Sequence, residues 1–448
     1  MKKKKRRRGI SAGTWITLAM LVAVLGLSSF VFTRLMGQEA AISLNPGVVS
    51  ETLTEIIREI GGTGGEEAEQ TPEPTAIATP TQSSAIQIAS LQAPLETEAP
   101  TLYMNSELSI VATGQVSLGA ELRNSGKQAT DLYDYSTIFS PIAGAAGGAD
   151  LSIVTLRSTL DDGSSGYDDY CAPATLATAL KEAGFNLINL GTDRILDHGL
   201  NGLAITRNVL EQRSLSSAGA YLSQQEADTR SVVTVSDVKI GLLSYTMSLS
   251  GVGQNASSEE ERAFAVRLYD AEKAAQDIAA LREEGAQIVI VLAHWGKRGD
   301  TEPSKTTLEQ ADELVQAGAD IILGTGPTNV HAMEKRQTED GRTVFIAYSL
   351  GNFLIDDSRE TDDITGVILR LNLEWDSRQE RLLFADSWYM PTWIMRLRED
   401  NTSRYSIVPA GSSVTPEGMT DSIYVNMKKS YQSMTERLGS EAASPKAE

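Results

Sequence analysis

Three scarcities mark the 448 residues: one cysteine, three histidines, and aromatic residues at 6%. With Cys171 alone, an intrachain disulfide framework is excluded, and so is a zinc site built on cysteine. Positive charge is scarce over most of the chain as well. Eight of the 39 basic residues lie at or before Arg34 and the first acid is Glu39, which leaves 31 basic against 59 acidic groups beyond Arg34, a net of −28. A surface of that sign repels phosphate backbones and excludes a nucleic-acid role. What is present suffices for a core, with 41% apolar against 22% charged residues. The length suggests one large domain with appendages, or two domains.

The basic tail, 1–8, holds Lys2 to Lys5 and Arg6 to Arg8, and no charge follows from Gly9 to Thr33. That uncharged window of 25 residues is long enough to cross a hydrocarbon core as a helix. It predicts a transmembrane signal anchor over 9–36, with the N-terminus cytoplasmic and the bulk of the chain outside the cell. A cleaved signal peptide is the rival, but Ser28-Ser29-Phe30 is a poor cleavage motif. Residues 37–101 read as a juxtamembrane segment and linker. Thr52-Leu53-Thr54-Glu55 opens a short helix with Leu53, Ile56, Ile57 and Ile60 on one face. Gly61–Pro100 then carries five prolines and no aromatic residue, which describes an extended tether.

From Leu102 the pattern alternates β-rich runs with helical segments. Strands are expected at Ser109–Ala112, Leu151–Thr155, Asn186–Leu190, Lys239–Tyr245, Gln287–Ala293, Asp320–Leu323 and Thr343–Tyr348. Helices are expected at Ala172–Ala183, Gly202–Arg213 and Thr307–Ala317, with one long helix from Ser258 to Glu284 opened by the capping box Ser258-Glu259-Glu260-Glu261. Val367–Glu374 and Arg381–Met390 read as antiparallel strands, and Ser440–Glu448 as a disordered polar tail. The fold class is α/β, in which ligands bind beyond the carboxyl ends of the strands. The residues to read are therefore Gly114-Gln115, Leu156-Arg157, Thr192-Asp193-Arg194, His294-Trp295-Gly296, Gly324-Thr325-Gly326-Pro327 and Ser349-Leu350-Gly351-Asn352.

Those loops carry a resemblance. Val291-Leu292-Ala293-His294-Trp295-Gly296, Ala317-Gly318-Ala319-Asp320-Ile321-Ile322-Leu323-Gly324 and Tyr348-Ser349-Leu350-Gly351-Asn352-Phe353 are its main strings. Leu196-Asp197-His198-Gly199 and Pro391-Thr392-Trp393-Ile394 support them. About 290 of the 448 residues, from Ser109 to Ile394, resemble the CapA/PgsA capsule-synthesis proteins, associated with poly-γ-glutamate capsule production. The resemblance implies a CapA-like domain at 102–400, a layered α/β/β/α sandwich similar to metal-dependent phosphatases, and leaves 401–448 as an extension and tail. It also implies metal ligands that this chain lacks. The family's Gly-Asp, Asn-Leu-Glu, Asn-Asn-His and His-Pro-His are replaced by Gly114-Gln115, Thr155-Leu156-Arg157, Thr192-Asp193-Arg194 and Gly326-Pro327-Thr328. An acidic residue after His-Trp-Gly is replaced by Arg298. Two guanidiniums would stand where a cation should sit, so neither a metal nor another cofactor is expected.

The candidate ligand-binding residues are His294, Asn352, Arg157 and Arg194. His294 is either a leftover ligand that bonds an acidic substrate group or a strand-end histidine satisfied by backbone. Asn352 either bridges a turn or faces the cleft. Arg157 and Arg194 either form a carboxylate- or phosphate-binding pocket or make local salt bridges, Arg194 with Asp193 or Asp197. His198 and His331 read as ordinary loop or surface residues, and Cys171 as structural. The expected function is that of a membrane-anchored, extracellular, non-catalytic or substrate-binding capsule-synthesis protein. Its expected partners are the membrane, capsule-synthesis membrane proteins and an anionic polymer. The alternatives are an active metal-dependent hydrolase or ligase of the same fold, and a cell-wall-binding ectodomain.

Overall fold

The computed structural model describes residues 105–129, 132–163, 170–356, 364–399, 402–411 and 415–446. The basic tail, signal anchor, juxtamembrane helix and linker expected over 1–101 lie outside these residues. Among the described residues no helix is long and apolar enough to cross a membrane.

The first part of the domain lays down β1 (Ser106–Ser117), α1 (Ala120–Ser125), β2 (Leu151–Leu156), α2 (Thr175–Glu182), β3 (Leu187–Asn189), α3 (Gly199–Glu211) and β4 (Ser216–Ala218). Next come β5 (Val232–Val235), β6 (Val238–Thr246), α4 (Glu259–Ala265), α5 (Ala271–Glu283), β7 (Ile288–His294), α6 (Lys305–Ala317), β8 (Ile321–Thr325), β9 (Met333–Gln337) and β10 (Thr343–Ala347). The chain closes with β11 (Asn352–Ile355), β12 (Thr365–Asp376), β13 (Arg381–Glu399), β14 (Thr402–Pro409) and α7 (Asp421–Leu438).

These strands form two large sheets. A nine-stranded sheet runs β14-β13-β12-β1-β2-β3-β4, with β11 beside the end of β1. A six-stranded sheet runs β9-β10-β8-β7-β6-β5. β1 to β4 are mutually parallel, as are β6, β7, β8 and β10, and antiparallel strands flank both groups.

Alternation along the strands explains the layering, because successive side chains point to opposite faces. On β7, Ile288, Ile290 and Leu292 join a core shared with Ile110, Ile153 and Leu187 of the other sheet. Val289, Val291 and Ala293 instead pack with Ile278 and Leu281 of α5 and Leu314 of α6. The nine-stranded sheet covers its outer face with α2 and α3, through Val154 and Leu156 against Leu176, Leu180 and Leu203. Each fully buried aliphatic side chain contributes roughly 1.5–3 kcal/mol, so these three clusters dominate the stability of the fold.

Three expectations need correction. The single helix from Ser258 to Glu284 is two helices, α4 and α5, separated by Val266–Asp270. Ser258 does open α4 with a capping box. Val266 and Leu268 then leave the helix to bridge Ala220 and Thr246 in extended conformation, and Asp270 caps α5 by accepting from Lys273 N–H. The described part of the C-terminal tail, up to Lys446, is packed where disorder was expected. Ala442 and Ala443 are buried, and Ser444–Pro445 pair with Trp388 and Tyr389 of β13. The extension beyond residue 400 is part of the sheet and its core, through β14 and through Met427, Met434 and Leu438 of α7.

Candidate functional site

The apolar rows that face the core between the sheets end in polar residues. On β2 the row is Leu151, Ile153, Thr155 and then Arg157; on β6 it is Ile240, Leu242, Ser244 and Thr246. On β7 it ends in His294 and on β8 in Thr325, two residues paired side by side in the sheet. Beneath the site these row ends bond across the two sheets. Ser244 Oγ donates to Asn189 Oδ1 at 2.8 Å, and Asn189 Nδ2 donates to Thr155 Oγ1 at 3.2 Å. Parallel strands thus deliver polar groups from both sheets to one end of the sandwich.

There they surround a cavity of about 190 Å³ lined by Arg157, Tyr170, Asp193, Arg194, Thr246, His294, Trp295, Arg298, Gly326 and Thr328, among others. Asp193 is its electrostatic centre. Arg157 donates Nε to Asp193 Oδ1 at 2.7 Å and Nη2 to Oδ2 at 2.8 Å, a two-pronged pair. His294 Nε2 lies 3.1 Å from the same Oδ1, and His294 Nδ1 lies 3.3 Å from Thr325 Oγ1. The Asp193 backbone carbonyl accepts from Ser250 N–H at 2.8 Å, which fixes the loop. Burial by itself raises the Asp193 pKa, but the hydrogen bonds from His294 and Arg157 outweigh it and hold the carboxyl far below the usual carboxylate range. Burial likewise opposes the charge of Arg157, and its bond to Asp193 more than compensates, leaving its pKa raised.

Arg194 points to a second acid. Its Nη1 donates to Asp197 Oδ2 at 2.8 Å, and its Cζ lies 3.8 Å from the centroid of the Tyr170 ring. Asp197 also accepts from Ser250 Oγ. A hydroxyl, an imidazole and a carboxylate stand in line at Thr325, His294 and Asp193, an order known from nucleophilic catalysis. Thr325 is 2% exposed and is not on the cavity wall, so its hydroxyl cannot meet a substrate and the line is an anchor for the imidazole.

The donor set does not fit a divalent metal. Such ions need several carboxylate, amide or imidazole ligands converging on one point. Among the described residues no group of three or more His, Cys, Asp or Glu side chains is placed to hold one. Asp193 and His294 are the carboxylate and imidazole of the described wall, and Arg157 covers both oxygens of Asp193. Gln115, at the end of β1, is buried and donates Nε2 to Asn352 Oδ1 at 2.9 Å.

Of the four candidates, His294, Arg157 and Arg194 come together on this wall, and Asn352 does not. Asn352 is 0% exposed at the start of β11 and joins the two strands through Gln115. His331, expected in a loop or on the surface, is buried, with Nε2 2.8 Å from the Asp300 carbonyl. His198 is half-buried, its Nδ1 2.8 Å from Thr159 Oγ1. Cys171 is buried in a short strand pairing with Thr159–Asp161 rather than at a helix start. Sequence reasoning missed Tyr170, Thr246 and the Asn189–Ser244 link. Thr246 and Ser244 carried a readable signal, because they continue a period-two apolar row in polar form.

A family model described as bacterial capsule synthesis protein PGA_cap matches residues 109–357. The match begins at the expected Ser109 and stops short of Pro391-Thr392-Trp393-Ile394. The chain is 29% identical over 180 residues to the capsule biosynthesis protein CapA of Bacillus anthracis, covering 40% of this chain and 42% of that protein. It is 32% identical over 178 residues to the PGA biosynthesis protein CapA of Bacillus subtilis (strain 168), covering 40% and 44%. The matched stretch spans less than half the length of these relatives. Among solved structures, a phosphatase of Mycoplasma pneumoniae aligns at a TM-score of 0.39 and 14% identity, over 64% of this chain and 94% of that one. By the extent of the family match, this chain belongs to the bacterial capsule synthesis protein PGA_cap family.

Proposed function

We propose that the protein is a membrane-anchored member of a capsule or poly-γ-glutamate synthesis assembly, with its folded domain outside the cell and a strand-end cavity that binds material without metal-dependent chemistry. The observation that carries the reading is the Arg157–Asp193–His294 array, in which a guanidinium takes both oxygens of the wall's carboxylate. A permanently charged guanidinium excludes a cation from its own position and takes up both oxygens of the carboxylate on the described wall. Anchoring is supported by the basic cluster before the 25-residue uncharged window. The capsule role is supported by family membership and by the relatives' names. Its partners would be the membrane, other capsule-synthesis membrane proteins and an anionic polymer.

Three measurements test this. Protease added to intact cells should remove the folded domain by cutting within Gly61–Pro100; a domain that survives in intact cells and is cut in lysates overturns the topology. Elemental analysis of protein purified without chelator should find no stoichiometric Mn, Fe or Zn. One or two ions per chain would instead favour the metal-dependent hydrolase. Deletion of the gene should diminish the capsule polymer, whereas an unchanged capsule favours a cell-wall-binding ectodomain.

A further inference from the structure

Charge is distributed against the trend of the chain at this cavity. Beyond Arg34 the net charge is −28, yet the described wall holds two adjacent guanidiniums, Arg157 on Asp193 and Arg194 on Asp197. A guanidinium has five N–H donors. Arg157 gives Nε and Nη2 to Asp193, and Arg194 gives Nη1 to Asp197. Both arginines thus keep donors beyond those their internal carboxylates use, and Arg194 Nε is buried with no hydrogen-bond partner. Low-dielectric walls around like charges focus the field on what enters.

The seat of Arg194 is costly to build. Tyr170 lies beneath its guanidinium and has φ of 60°, a left-handed conformation unfavourable for a bulky side chain. Stacking on an aromatic face fixes the plane of a guanidinium while leaving its edge donors available. The residue has two duties: its carbonyl accepts from Thr159 N–H at 3.0 Å, at the start of the short pairing between Thr159–Asp161 and Cys171–Pro173, and its ring is held under one arginine at the cavity wall.

From the cavity, its excess of guanidinium donors and the strained seat, we infer that it binds the head of a small anionic ligand, a carboxylate or a phosphate, with Arg194 as the specificity-determining side chain. This rests on the reading of the cleft as metal-free. Paired oxygens match the guanidinium fork, which is where charge-assisted bonds are strongest. Asp193 does not repel the ligand strongly, because Arg157 already compensates its charge and His294 Nε2 hydrogen-bonds its Oδ1. A volume of about 190 Å³ takes a head group and a few carbons, so a long polymer would enter by its end.

Titration calorimetry on the full chain in detergent, with EDTA present, tests this with glutarate, inorganic phosphate and the neutral analogue glutaramide. One saturable site for glutarate or phosphate and none for glutaramide is expected. Arg194→Ala should weaken binding about tenfold or more, the usual consequence of losing a charge-assisted bond. Arg194→Lys keeps the charge and a partner for Asp197 but loses the planar fork, and should weaken it by a smaller factor. That variant decides the matter if Arg194→Ala does not fold. Glutarate binding alone assigns a carboxylate head, and phosphate binding alone a phosphate head. No binding of either anion, or equal binding by the parent and Arg194→Lys together with Arg194→Ala, overturns the inference. Bound metal in protein prepared without EDTA overturns the reading beneath it, and that outcome is separable from a metal-free protein that binds neither anion.

Discussion

The two sides of the cleft are built on different principles. On the side of β7, β8 and β10, contacts run through the backbone. Trp295 Nε1 donates to the Tyr348 carbonyl at 2.8 Å, Trp295 N–H to the Thr325 carbonyl at 2.9 Å, and Leu350 N–H to the Gly324 carbonyl at 2.9 Å. A Cβ on Gly324 would lie 2.3 Å from the Tyr348 oxygen, and Gly326, at φ of 116°, would place one 2.1 Å from the Trp295 oxygen. On the side of β1, β2 and β3, Gly114 and Gln115 make backbone contact with Gly351, and three links run through side-chain tips: Gln115 to Asn352, Arg157 to Asp193, Arg194 to Asp197. The difference explains how the family resemblance and the loss of metal ligands coexist. The strings around His294, Gly324 and Gly351 record close backbone packing, which tolerates little change. A ligand at the end of β2 is a single side chain that can be exchanged while the frame stays intact. The family strings therefore report the scaffold, and the chemistry must be read from the other side.

The largest effect on this contrast is expected from Asp193→Ala. It leaves the Arg157 guanidinium and the His294 ring without their shared acceptor. Breaking a buried pair from one side costs about 3–5 kcal/mol. Because 19% of the Arg157 and 22% of the Asp193 side chain reaches solvent, the lower end, about 3 kcal/mol, is expected in urea unfolding. The acid limb carries a matching signature. Asp193 is depressed below its ordinary value, so its contribution is complete above the normal carboxylate range and is lost as pH falls through the lowered folded value. The stability difference between parent and Asp193→Ala should hold steady from neutral pH to about pH 4 and shrink below it. A difference that grows on acidification would show that Asp193 is not the charged centre of the site.

Gly324→Ala probes the opposite side and should cost about 1–3 kcal/mol through overpacking, with its cost unchanged across the acid range. If it is silent, the backbone contacts at Tyr348 and Trp295 are looser than the structure has them, and the contrast between the two sides fails.

How much of this was legible in sequence follows the same division. Alternating strands and helices, the capping box at Ser258 and the strand-end position of His294 were readable because each depends on local pattern. The break at Val266–Asp270 was not, since bridges to Ala220 and Thr246, distant in sequence, override a helical composition. Asp270, a good N-cap, was the local sign that went unused. The tail was misread because Ala442 and Ala443 gain their burial from tertiary packing, and two small residues give no periodic signal. Arginines at the ends of β2 and β3 were visible in sequence, but which acid each one meets depends on how the loops face one another.

The smallest effect should come from Thr325→Val, which tests which side holds His294. The ring belongs to β7 by sequence, yet its shorter contact, 3.1 Å, crosses to Asp193, while the Thr325 hydroxyl beside it in the sheet is 3.3 Å away. A carboxylate can only accept, so Nε2 must carry a hydrogen and Nδ1 is left to face the hydroxyl. Removing that hydroxyl deletes one long, neutral hydrogen bond, for which about 0.5 kcal/mol or less is expected. The chain has three histidines, so ¹⁵N spectra of a histidine-labelled sample should resolve the ring of His294, with His198 and His331 as internal references. The protonated Nε2 signal of His294 should persist in Thr325→Val and change in Asp193→Ala. Should Thr325→Val instead disturb that signal and cost as much as Asp193→Ala, the imidazole is anchored from its own sheet. The two sides of the cleft would then be independent at the very residue that the structure uses to join them.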